Sequence, residues 1–305
     1  MSAPAEIAGT VSRMGAPSGA RALQSLAEWA VGTEASSRSS ALIRIGVAML
    51  FWSRWGSELL LYRDQSPAGL LLTVNFFAAT ALLLVGFHSR LAALWTGCVG
   101  FSMYYYFGYE LGRAPWTHHH TYLLAIAALF LAATPCGMSY SLDRYLAVAR
   151  AERRGDPAPA ERGNVWGLRL IVVQLSVLYF FSALDKTGPG FLSGARLEQI
   201  FLWFYVGSDY PALPGLPVLA MLVALAVVAL EYALAFGLPF RATRRWLVLP
   251  GIAFHAIIYV TLPVYTFSAT MILLYLAYFD PDAVHRLIDR LQGQHAPRPH
   301  RGRFS

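Results

Sequence analysis

Apolar residues in this chain come in long runs, not in alternation with polar ones. Eight runs, at about 41–61, 68–87, 91–109, 120–140, 165–185, 216–237, 246–263 and 266–280, carry few charges, and the last two are short. A helix of about 20 such residues crosses roughly 30 Å of hydrocarbon, and no ten-residue alternation marks a membrane barrel. The pattern predicts an all-α fold, a polytopic membrane helical bundle of about eight transmembrane helices with one or two interfacial helices. The stretch SYSLDRYLAVARAERR at 139–154 sets apolar residues at helical spacing between arginines, as in a helix lying on a membrane surface. A second such helix, Leu197–Val206, is expected to cover a cavity on the opposite side.

Charge orients the bundle. One side of the predicted spans holds Arg13, Arg21, Arg38, Arg90, the group from Arg144 to Arg162, that from Arg241 to Arg245, and the tail from Arg286 to Arg303. The other holds Arg54, Arg63, Arg113, Lys186 and Arg196. The positive-inside rule then places both termini in the cytoplasm of a cell (inner) membrane and Lys186 toward the outer face.

Composition agrees, with 56% hydrophobic residues, 13% charged and a mean hydropathy of +0.47. That is far more apolar than a soluble domain. The net charge of +7 follows from cytoplasmic arginines, which favour anionic lipid headgroups, so membrane lipid and not nucleic acid is the expected partner. The first thirty-odd residues contain neither a charged n-region nor a compact apolar h-region, so the first span is expected to direct insertion. Cys98 and Cys136 fall within apolar runs and suit packing better than a disulfide.

A Pro/Gly/charge-rich linker, AERRGDPAPAERG at 151–163, separates two groups of four runs, but no internal repeat accompanies it. The chain therefore divides into a cytoplasmic segment 1–39, one membrane domain 40–282 and a basic cytoplasmic tail 283–305.

Ionisable groups inside apolar runs are costly and must pair, face water or do chemistry. Arg44, Arg169 and Glu231 lie toward the cytoplasmic side, where the glutamate either satisfies one or both arginines or has a catalytic role. Toward the outer side lie Arg54 and Glu58, four residues apart on one helix face and thus an expected ion pair. With them are the run His118-His119-His120, the neighbours Asp185 and Lys186, and His255. Adjacent histidines diverge on a helix, and no His-x-x-x-His or cysteine-rich partner follows, so no metal is assigned.

Lys186 is the sole lysine, at the end of an apolar run in YFFSALDKTGPGF. It either snorkels to the headgroups or does what arginine cannot, which is to lose its proton and act as a base.

That stretch resembles the lysine segment of the vitamin K-dependent gamma-glutamyl carboxylase and its bacterial relatives, the horizontally transferred transmembrane domain (HTTM) family. WTHHHTYLLAIAALFLAATPCGMSYSLD, GFHSRLAAL and AFHAIIYVTLPVYTFSATM resemble further family segments in the same order, together covering roughly residues 40–282. The resemblance implies that Lys186 deprotonates a reduced, vitamin K-like quinone. Reaction with oxygen then yields the strong base that removes a gamma proton from glutamate before carbon dioxide adds.

His120 matches the assisting histidine, although aligning Trp116 selects His119 instead. His255 matches a histidine of the later helix, and Glu231 a position where relatives carry an acid. Trp116, Tyr105, Tyr179 and Phe254 are the expected quinone contacts, the outer aromatic residues serving either as cavity walls or as an interfacial belt.

Thr117, His118 and His119 replace the polar residues of the carboxylase. The carboxylase also continues into a lumenal domain where this chain has an arginine-rich tail, so recognition of clotting-factor propeptides is not expected. The resulting expectation is a quinol-dependent membrane enzyme, carboxylase-like and open to oxygen and carbon dioxide, that modifies a peptide or small substrate at the outer face. The alternative is a non-catalytic membrane partner for binding or maturation of a secreted peptide.

Overall fold

The computed structural model describes residues 27–28, 32–62, 64–205 and 215–293. Arg13, Arg21, Arg63, Val206, Arg298, Arg301 and Arg303 of the sequence reading lie outside the described residues.

Every apolar run contributes a helix. The first forms α1 (Arg38–Phe51), which passes through a π-helical turn (Trp52–Gly56) into the short α2 (Ser57–Leu61). There follow α3 (Pro67–Val85), α4 (Ser89–Met103) with its π-helical extension Tyr104–Glu110, and α5 (His119–Ala132). The amphipathic α6 (Leu142–Arg154) precedes α7 (Trp166–Asp185), the one-turn α8 (Pro189–Leu192) and α9 (Ala195–Tyr205). The chain continues as α10 (Leu216–Gly237), α11 (Arg241–Thr261), α12 (Tyr265–Leu274) and α13 (Pro281–Leu291).

Among the described residues, α3, α7 and α10 are long and apolar enough to cross a membrane by length and composition. The sequence reading of about eight spans is thus reduced to three that meet this measure. The run predicted at 120–140 illustrates the difference. Pro135 disfavours helix in the residue before it, and α5 ends at Ala132, leaving 14 residues, or about 21 Å.

Local signals fix several ends. α3 starts with Pro67 in its first turn and the Ser66 hydroxyl accepting from the Gly69 amide, and stops at Gly86 in the left-handed region, φ 70°. Only glycine fits there, since a Cβ would stand 2.5 Å from Ser141 Cβ and 2.7 Å from Arg44 Nη1. α6 begins with the Ser141 hydroxyl accepting from the Arg144 amide.

The core runs along α1, where Val47, Phe51 and Trp55 are buried with Phe76 and Leu83 of α3, Leu124 and Leu131 of α5, and Met271 of α12. At the arginine-rich end, β1 (Glu34–Ser36) pairs antiparallel with β2 (Arg162–Asn164). The predicted linker is therefore pinned. Glu161 accepts from Arg38 Nε at 2.9 Å and from the Ser139 hydroxyl at 3.0 Å. α13 docks on the same end through Arg38–Asp289 at 2.6 Å and Arg162–Asp282 at 2.8 Å.

Candidate functional site

α7 and α10 pack side by side and bring Lys186, which caps α7, to Glu231. Lys186 Nζ donates to both carboxylate oxygens at 3.0 Å and to the Ser182 hydroxyl, one turn back on α7. Ser182 Oγ in turn donates to Glu231 Oε1 at 3.1 Å. The pair is unevenly sheltered, with 26% of the lysine side chain exposed against 5% of the glutamate's.

This overturns the expected pairing of Glu231 with Arg44 or Arg169. Arg44 is fully buried and is held by backbone carbonyls instead: Leu83, Leu84 at 2.8 Å, Cys136 at 3.0 Å and Tyr140 at 2.6 Å. The first two are carbonyls of the last turn of α3, at its C-terminal, negative end, which is where a cation is stabilised.

Sorting ionisable groups by position along their runs also fails here. Glu231 lies about 22 Å from the N-terminal end of α10 at 1.5 Å per residue, yet it touches the last turn of α7. After Lys186 the chain turns and runs back along α10 as α8 and α9. Gly194, at φ 82°, sits where a Cβ would come 2.3 Å from the Met221 amide nitrogen. Since Met221 precedes Glu231 by ten residues, Lys186 lies about 15 Å along α10 from that crossing.

Two cavities meet at Lys186. One, of about 640 Å³, is lined by His119, Tyr122, Gln174, Phe181, Ser182, Asp185, Lys186 and Phe267 among others. The other, of about 720 Å³, is lined by Asp185, Lys186, Phe191, Arg196 and Gln199 with smaller residues. Lys186 Nζ also lies 6.0 Å from the centre of the Phe191 ring, a cation–π distance.

The structure separates the two candidate histidines. Neighbours on a helix point about 100° apart, so His119 lines the 640 Å³ cavity with Lys186 while His120 faces the first helix. His120 Nε2 accepts from Arg54 Nε at 3.0 Å, and its ring stacks on Trp55 at 6.0 Å. Arg54 pairs with Glu58 at 3.4 Å as its spacing predicts. Trp116 is buried in the same cluster, stacked on Trp55 at 5.4 Å and donating Nε1–H to Glu58 Oε1 at 2.8 Å.

His255 and Tyr179 form a separate buried group. Tyr179 Oη lies 2.7 Å from His255 Nε2 and 2.8 Å from Tyr275 Oη. Phe267 links this group to the Lys186 cavity, lining that cavity and meeting the His255 ring at 5.7 Å. Phe254 packs on His255 at 5.2 Å, and Tyr105 is exposed beside Tyr104 and Tyr109. Trp116, Tyr105, Tyr179 and Phe254 are thus outside the lining of both cavities at Lys186. Among the described residues no three His, Cys, Asp or Glu side chains converge as a metal site.

Sequence reasoning missed Gln174, Ser182 and Phe267. Ser182 alone left a signal, four residues before Lys186 and so on its helix face.

A family model described as "HTTM domain" matches residues 64–283. That span includes Lys186, Glu231, His119 and Phe267. No curated protein and no solved structure matches the chain.

Proposed function

Since this chain belongs to the HTTM domain family, whose membrane domain is related to that of the vitamin K-dependent carboxylase, we propose that it is a membrane enzyme whose Lys186–Glu231 pair takes a proton from a lipid-soluble quinol. The observation that carries this reading is the contact of Lys186 Nζ with both Glu231 oxygens beside a cavity of ligand size. The residues present fit a quinol. Phe181, Phe267 and Tyr122 supply apolar and aromatic walls, and Lys186, His119 and Gln174 supply hydrogen-bonding groups for ring oxygens.

When bound, the quinol supplies electrons for chemistry with oxygen. The chain's own contribution is proton handling. An amine already paired with a carboxylate holds its proton, so Lys186 acts as a relay: Nζ accepts one proton from a ligand hydroxyl while passing another to Glu231 Oε1. Glu231 ends as the neutral acid and Lys186 stays cationic. Its positive charge then faces the ligand oxygen instead of the carboxylate. Little charge is newly buried, which is what a weakly hydrated site requires.

The cavity at Arg196 and Gln199 receives the second substrate, a secreted peptide or small carboxylate, with carbon dioxide as the added group. The arginine distribution supports an inner-membrane location with cytoplasmic termini.

One observation favours the non-catalytic alternative: Lys186 is fully engaged by Glu231 and Ser182, as a structural lysine would be. Lys186→Arg separates the two. It preserves the charge and removes ready proton loss. Product formation from a reduced quinone should fall to background with folding intact; retained turnover would reject the relay, and retained peptide binding without turnover in either protein would support the holder.

A further inference from the structure

At the arginine-rich end, far along the chain from Lys186, α6 forms the wall between two adjoining cavities. One, of about 500 Å³, is lined by Arg90 and Arg144 over an apolar floor that includes Pro135, Met138 and Trp166. The other, of about 340 Å³, is lined by Arg90, Arg150 and His88 against Phe87, Leu91 and Leu146. Ser89, Arg90 and Asp143 belong to both.

Three arginines and one carboxylate, Asp143, line this pair of cavities; Arg144 is also paired with Glu161 at 3.7 Å, and Asp143 is already engaged. Asp143 accepts from the His88 amide at 2.8 Å, the Ser89 amide at 2.8 Å and the Ser89 hydroxyl at 2.7 Å. These bonds hold His88 in the left-handed region, φ 45°, which a residue with a Cβ seldom adopts. The loop is thereby fixed ahead of any ligand. Arg90 is fixed too, with Nε donating to the Ala132 carbonyl at 2.8 Å while its side chain remains exposed. Arg144 is anchored by the Pro159 carbonyl. Arg150, seven residues after Asp143 on the same face of α6, is exposed.

We propose that these joined cavities bind a phosphate-bearing anion, with Arg90 and Arg150 contacting the phosphate and Phe87, Leu91 and Leu146 receiving whatever apolar chain is attached. Arginine forks match phosphate oxygens, and basic pockets between membrane helices are where phospholipid headgroups bind. The ligand is a phospholipid headgroup or free phosphate, which share this chemistry.

The test is native mass spectrometry of the full chain with phosphatidic acid, phosphatidylcholine or inorganic phosphate. Arg150→Gln is the principal variant, Arg150→Lys the charge-preserving one and Arg286→Gln, on the exposed side of α13, the control. Phosphatidic acid should bind in preference to phosphatidylcholine. Arg150→Gln should weaken it roughly fivefold, with Arg150→Lys, which keeps the charge but not the fork, in between and Arg286→Gln close to the parent. Displacement by inorganic phosphate would assign the site to free phosphate; lack of displacement would assign it to the lipid. Equal binding of the two lipids with no phosphate binding, or an Arg150→Gln protein that binds as the parent does, would overturn the proposal.

Discussion

Lys186 Nζ stands 3.0 Å from each carboxylate oxygen of Glu231, joining the end of α7 to α10 forty-five residues later in the chain. A lone charge at this depth would be costly, and each partner removes that cost from the other. The two therefore behave as one unit in folding as well as in proton transfer. Glu231→Leu alone leaves a sheltered ammonium and should destabilise the protein by about 3 kcal/mol or more. Adding Lys186→Met should recover much of that loss, giving a coupling of about 1–3 kcal/mol in a double-mutant cycle read by unfolding in detergent. Additive effects would mean that the two side chains act independently.

The histidines provide a second separation. His119→Ala removes a cavity-lining group and should lower quinol-dependent turnover without a change in unfolding midpoint. His120→Ala takes an acceptor from Arg54 and a ring from Trp55, and should cost about 1–3 kcal/mol of stability. Midpoint and turnover measured on both variants decide the matter; a catalytic loss confined to His120→Ala would reverse the assignment.

Much of this was legible in the sequence and some was not, for identifiable reasons. Hydrophobic runs located the apolar helices because apolar length is a local property, whereas α13, an amphipathic helix within the predicted basic tail, was not foreseen. Pro135 was a local signal as well, and read for its effect on the preceding residue it shortens the predicted 120–140 run to the observed α5. The partner of Glu231 was out of reach. Position along a run gives depth only if each helix spans the same slab, whereas α7 ends alongside the sixteenth residue of α10 and α9 covers the remainder. Arg44 was misassigned for a related reason: its partners are backbone carbonyls, at the end of α3 and in the stretch between α5 and α6, which every sequence contains and no residue type announces. The choice of His119 over His120 at the cavity depended on the rotation of α5, which packing fixes.

Acid should loosen the arginine-rich end first. Burial acts to raise the Glu161 carboxyl, but hydrogen bonds from Arg38 and Ser139 and the nearby arginine charges outweigh it and hold it below its ordinary 4.5. Asp282 is lowered likewise, burial being outweighed by Arg162 and the Ser36 amide. A depressed carboxylate contributes stability that is present above its unfolded value and lost as pH falls through the folded one. Hydrogen exchange should therefore show α13 protected at neutral pH and released only below about pH 4.5. Release already near neutral pH would contradict the assignment to these carboxylates.

The proton's destination is the most direct test. Infrared difference spectra of the protein with and without a bound quinol should show a protonated carboxyl band appearing on binding, present in the parent and missing in Glu231→Gln. A spectrum with no new carboxylic acid, or one that survives Glu231→Gln unchanged, would contradict the Lys186–Glu231 relay.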